Sequence, residues 1–288
     1  MSDTLDRTKV TFAQAEGRET LPSQLQVREM SNGLRAALWK VVYKSWMESV
    51  GRSRNYSPAP YYFVGNWRQM LEDLWVFRVE RFIDEFDNLL DFWVNIFKPV
   101  FIEGEYIDVF DFLQFTIRHR ECPPQFVSNL SDALNVGRAA YRIIDTTIMP
   151  ISSEQDAATI QSAFKAAGNM GWDGAKSHLV TAGELLSRGD WAGSVRESIH
   201  SVESALKVIE PTETTLSSVL RRLEKDGEIN PNLKRAMSAL YEYSSDEKGI
   251  RHAKVLSDAN VDEADAMYMF GVCSAFITFL SYRFSSRH

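Results

Sequence analysis

Two pairs of residues in this sequence, Arg196 with His200 and Arg251 with His252, set an arginine and a histidine together in a suggestive way, since metal-free cleavage of RNA requires both. Arg196 and His200 are four apart, so on a helix they share a face, with Glu203 a turn further on. Arg251 and His252 are adjacent, in a stretch after Tyr243 that reads as a loop and begins at Ser244, Ser245 and Asp246. An imidazole exchanges protons near neutral pH and can shuttle those of the 2′-hydroxyl and the leaving group. A guanidinium stabilises the charge that develops on the phosphorane. On this reading Arg251 binds the scissile phosphate and His252 is the general acid or base. Glu203 or Asp246 orients the imidazole, and Arg196 with His200 is the second pair. The competing reading is structural. An arginine and a glutamate a turn or two apart on a helix commonly form a solvated pair worth about 0.2–0.5 kcal/mol, and a histidine beside an arginine in a loop is commonly a capping group.

Other chemistries lack their residues. There is no phosphate-cradling glycine loop, no His-Glu-x-x-His pair, no Cys-x-x-Cys spacing and no Gly-x-Ser-x-Gly elbow. No cofactor and no metal centre is expected. Two cysteines, Cys122 and Cys273, are too few for a disulfide framework, and they fit a reducing compartment. The first ten residues carry Asp3 and Asp6 without an apolar core, unlike a secretory signal. A cytoplasmic protein is expected. The net charge is −7, so any contact with RNA needs a local basic cluster against the acidic background.

The elements that must position these residues read as helices. Hydrophobic residues make up 44% and charged residues 25% of the 288, enough apolar surface for an ordinary core. No alternating run bounded by a hairpin turn is evident, which predicts an all-α fold. A helix is expected from Ser31 with Leu34, Leu38, Val41 and Val42 on one face, ended by the turn-rich residues 51–60. Residues 67–101 are dense in aromatics, read as a core between long helices. One further helix is expected from about Ile107 to Arg120, broken by Pro123-Pro124, and another after it to about Ile144. From Ser153 onward the pattern predicts five helices with short links, with starts at Ser153, Asp190, Thr214 or Thr215, Asn230-Pro231 and Asp262. Residues 266–282 carry no charge over 17 positions. Their length and polar residues favour a buried core or dimer-interface helix over a membrane span.

The segments SIHSVESALKVIE, TTLSSVLRRLE, NPNLKRAMSALYEYSSDEKGIRHA and DEADAMYMFGVCSAFITFL resemble the HEPN domain attached to AbiJ-type abortive-infection proteins, most specifically in LYEYSSDEKGIRHA. The stretches TFAQAEGRETLPSQLQ and MSNGLRAALWKVV are similar to an AbiJ amino-terminal domain. The resemblance implies two helical domains, residues 1–165 sensing or regulating and residues 166–288 forming a HEPN-like bundle. It implies a bacterial anti-phage or toxin setting, a homodimer through the second half, an RNA substrate and an antitoxin or phage-derived trigger; no membrane partner is expected, on the length of residues 266–282. Active HEPN ribonucleases place four to six residues between arginine and histidine; here Arg251 and His252 have none and Arg196 and His200 have three. Two dimer-related loops could build a composite site from Arg251 and His252. The alternative is a non-catalytic HEPN-like dimer that binds RNA, a nucleotide or a partner protein.

Overall fold

The computed structural model describes residues 25–52, 59–151, 153–213, 215–246 and 261–285, with Phe12, Glu16 and Arg18 ahead of them. Within these residues the fold is all-α, with two small antiparallel hairpins added.

The first helix, α1 (Asn32–Glu48), starts where the Ser31 hydroxyl accepts the Leu34 amide at 3.1 Å. Its buried stripe is Leu34, Leu38, Val42 and Trp46, four residues apart at each step. Strands β1 (Val50–Arg52) and β2 (Tyr61–Phe63) pair antiparallel and return the chain to α2 (Gly65–Phe77). After a 3-10 turn (Ile83–Glu85) come α3 (Leu90–Glu103), α4 (Tyr106–Arg118) and α5 (Pro124–Val136). Trp46 lies at the middle of this half. It meets Phe63, Trp67, Phe97 and Phe112 edge-on at 5.4–6.4 Å, while Phe97 and Phe112 approach to 4.2 Å. The buried indoles of Trp67, Trp75 and Trp93 donate to Ser45 Oγ and to the carbonyls of Phe82 and Asp87. The aromatic stretch is therefore core, except that Phe77 and Phe82 are exposed.

The expected helix to Ile144 is corrected. It stops at Val136, where Gly137 and then Arg138, at φ +50°, turn the chain. The chain then enters strand β3 (Tyr141–Ile144), which pairs with β4 (Thr147–Pro150), Ile144 opposite Thr147. The β-branched Ile143, Ile144, Thr147 and Ile148 favour strand, and Asp145 at φ +56° makes the turn.

The second half holds α6 (Glu154–Asn169), α7 (Asp173–Arg188), α8 (Trp191–Ile209), α9 (Leu216–Lys225), α10 (Pro231–Asp246) and α11 (Glu263–Phe284). The caps at Ser153, Asp190, Thr215 and Asp262 form as their sequence predicts. Among the described residues this half has six helices rather than the five expected, because the N-cap of α7, Trp172, offers no capping side chain. Helix α10 also runs through Ser244 and Ser245 to Asp246, where the sequence predicts the start of a loop.

Two hydrophobic cores result, one built from residues between Leu25 and Ile148 and one from residues between Ile144 and Phe284. The β3–β4 hairpin stands between them. Tyr141, Ile143 and Ile148 face the first core, Ile144 and Met149 the second, as the two-residue period of a strand dictates. Helix α6 belongs to the second core through Ile160, Ala163, Phe164 and Ala167. Arg118 joins the halves: its guanidinium donates to Glu184 Oε1 at 2.7 Å, to Thr147 Oγ1 at 2.8 Å and to the Thr146 carbonyl at 3.1 Å.

Helix α11 packs against α6 and α8, burying Met269, Phe270, Cys273, Phe276, Ile277 and Leu280. Among the described residues it is the helix long and apolar enough to cross a membrane, and half of its most apolar window is buried within the protein. Tyr268 and Tyr282 on the same helix are 61% and 80% exposed.

Candidate functional site

Helices α7 and α8 are joined by Gly189, at φ +80°, and Asp190, and they pack along each other. Their contact is close because small residues line it. A Cβ on Gly174 would lie 2.3 Å from Ser204 Oγ, so only glycine fits there without displacing the serine. One turn along α7 from Gly174 stands His178; one and two turns along α8 from Ser204 stand Ser201 and Glu197. The packing that seats Gly174 on Ser204 thus sets His178 against Glu197.

Glu197 holds two imidazoles. His178 Nδ1 is 2.7 Å from Glu197 Oε2, and His200 Nδ1 is 3.5 Å from Glu197 Oε1. The two rings lie 5.4 Å apart, inclined at 66°. A carboxylate can only accept, so in the 2.7 Å bond Nδ1 of His178 is the donor. The glutamate side chain is 17% exposed and both histidines are more than a third exposed, so the carboxylate is sheltered while the imidazoles meet solvent. Arg196 Nε lies 4.0 Å from Glu197 Oε1.

His200 also lines a small cavity, about 10 Å³, room for roughly one water. Arg196, Ile199, His200 and Glu203 of α8 and Tyr241 and Ser244 of α10 line it. The Ser244 hydroxyl donates to the Tyr241 carbonyl at 2.7 Å, closing the last turns of α10.

Of the residues predicted from sequence, Arg196, His200 and Glu203 are brought together around this cavity. Asp246 is the last residue of α10. Arg251 and His252 lie outside the described residues. The sequence prediction missed His178, Glu197 and Tyr241. Glu197 and His200 form a Glu-x-x-His pair whose spacing was open to reading; His178, 19 positions earlier than Glu197, is brought in by tertiary packing. His119 has a different setting: Nε2 donates to Asp73 at 2.9 Å and Nδ1 accepts the Glu121 amide, which ties the end of α4 to α2.

Basic, acidic and imidazole groups on two helices, beside a hydroxyl-bearing third, can bind an anion and move protons without rearranging the backbone. These features define an all-helical protein of two cores with a polar constellation in the second. The family AbiJ N-terminal domain 4 matches residues 11–166, more than half of the chain, and the chain belongs to that family. It is an AbiJ-type protein, and that membership points to abortive-infection defence. No curated protein and no solved structure matches the chain. The family match spans the first core and most of α6 and stops short of the His178–Glu197–His200 group.

Proposed function

We propose that this AbiJ-type chain is a bacterial anti-phage effector of the cytoplasm whose second half is a HEPN ribonuclease that cuts RNA without a metal. One observation carries the reading: Arg196, His200 and Glu203 gather at one cavity with Tyr241 and Ser244, at the end of the helix that leads into Arg251 and His252. Five residue steps run from Asp246, the last residue of α10, to Arg251, a span of up to about 18 Å when extended, so the chain is long enough to return Arg251 and His252 to that cavity.

In this mechanism the guanidiniums of Arg251 and Arg196 take the scissile phosphate. His252 removes the 2′-hydroxyl proton, and the 2′-oxygen attacks phosphorus. The 5′-oxygen leaves with a proton supplied by a second imidazole, that of His200, and a 2′,3′-cyclic phosphate remains. Glu203 and Asp246 orient the imidazoles. The first half senses or regulates. On packing grounds we place the division after the β3–β4 hairpin, since α6 lies in the second core. Two copies pair through the second half, with exposed Tyr268 and Tyr282 of α11 at the contact.

The spacing within both Arg–His pairs favours a second reading, a dimer that binds RNA, a nucleotide or a partner and cleaves nothing. Incubating the purified full chain with RNA in excess chelator separates the two. Fragments ending in 2′,3′-cyclic phosphate support the nuclease; intact RNA that is nonetheless bound overturns it in favour of the binding module.

A further inference from the structure

We propose that His178, Glu197 and His200 form a binding site for one divalent transition-metal ion of the zinc class. The three side chains offer two imidazole nitrogens and a carboxylate oxygen, and these ligand atoms all lie within 4.8 Å of one another. Zinc bonds to such groups at about 2.0–2.2 Å, so tetrahedral ligands sit roughly 3.3 Å apart. The two Nδ1 atoms lie 2.7 Å and 3.5 Å from Glu197, close to that spacing, and Nδ1 of His178 gives up the hydrogen it donates to Glu197 when it becomes a ligand.

The donor set decides the class of metal. Calcium and magnesium take oxygen ligands, six or more around the ion, and this site offers one carboxylate. Two imidazoles with a carboxylate suit zinc and its first-row neighbours, with a fourth position for water. The support is already rigid. His178 stands in α7, Glu197 and His200 in α8, and the Gly174–Ser204 contact fixes the spacing of the two helices. The histidines are 37% and 39% exposed, which gives an ion a way in. A third partner sets a limit. Arg196 Nε, 4.0 Å from Glu197, adds positive charge beside the site and must swing away from the carboxylate when the ion arrives.

The site shares His200 with the ribonuclease reading, and an ion held there would take that imidazole out of proton transfer; binding is measured without RNA, so the failure of one reading is distinguishable from the failure of the other. The full chain, stripped with chelator, is titrated with zinc sulfate in competition with a chromophoric chelator, and cobalt replaces zinc for its visible spectrum. The expected result is one ion per chain, an intense tetrahedral cobalt spectrum, and a raised melting temperature with zinc. His178→Ala, His200→Ala and Glu197→Gln should each weaken binding by about 100-fold or more, beyond the 10–100-fold typical of an outer partner. His252→Ala and His119→Ala should bind as the parent does. Each variant is first checked for an unchanged helical spectrum; as both histidines are well exposed, folding is expected to survive. Absence of binding in the folded parent, or binding that His178→Ala leaves intact, overturns the proposal.

Discussion

Glu197 gives the second half its chemical character, because one sheltered carboxylate fixes two imidazoles that solvent can reach. Part of this arrangement was legible in the sequence. Arg196, His200 and Glu203 repeat at three and four residues, and a regular helix guarantees that such residues share a face. His178 was not legible, since its approach depends on how Gly174 lets two helices close. The cysteines make the residue-scale counterpart. Burial pushes the thiol of Cys122 up to about 11 and that of Cys273 up to about 12, and burial pushes the Tyr141 phenol to about 12. Each group stays protonated in the folded chain at a pH where its unfolded counterpart, with ordinary values of 9.0 and 10.0, has ionised. The folded state then binds more protons than the unfolded one, so stability falls as pH rises from about 9 to about 12. Melting curves across that range should show the decline, and Cys273→Ala should shallow it. A flat profile above pH 9 would contradict the burial of these groups.

At the scale of elements, caps were easier to read than strands. Ser31, Ser153, Asp190, Thr215 and Asp262 each place an oxygen before an apolar period, and each caps a helix. The β3–β4 hairpin was hidden because its strands are four residues long and its turn uses Asp145 and Thr146 instead of Asn-Gly. That hairpin rests on α7 through one tight contact. A Cβ on Gly183 would sit 2.5 Å from the Met149 sulfur. Gly183→Ala gains about 1 kcal/mol of helix propensity and loses roughly 1–3 kcal/mol to overlap, a net destabilisation of up to about 2 kcal/mol. Met149→Ala alone should cost about 2–5 kcal/mol. In the Met149→Ala background the overlap is gone, so Gly183→Ala should become stabilising. Denaturant unfolding of the four chains measures this, and simple additivity would show that Met149 does not pack against Gly183.

Across the whole molecule, two cores share one hairpin and are clasped by Arg118 and Glu184. The all-α class followed from the near absence of strand signals, whereas the joining of the cores did not, because it depends on alternate faces of a hairpin that the sequence masks. The last helix was legible as a core element from its length. Its exposed Tyr268 and Tyr282 motivate the prediction of a dimer through the second half. Light scattering at micromolar concentration should give twice the chain mass, and Tyr268→Glu with Tyr282→Glu should return it to the monomer. A monomeric parent would remove the composite site built from two copies of Arg251 and His252.

The proposal that the second half cuts RNA is tested most directly in bacterial cells, by following RNA integrity after induced expression of the full chain. The parent chain should fragment cellular RNA and arrest growth. His252→Ala and the double variant Arg196→Ala, His200→Ala should accumulate as folded protein and leave RNA intact. Intact RNA with the parent chain, or fragmentation that persists with both folded variants, would contradict the ribonuclease assignment.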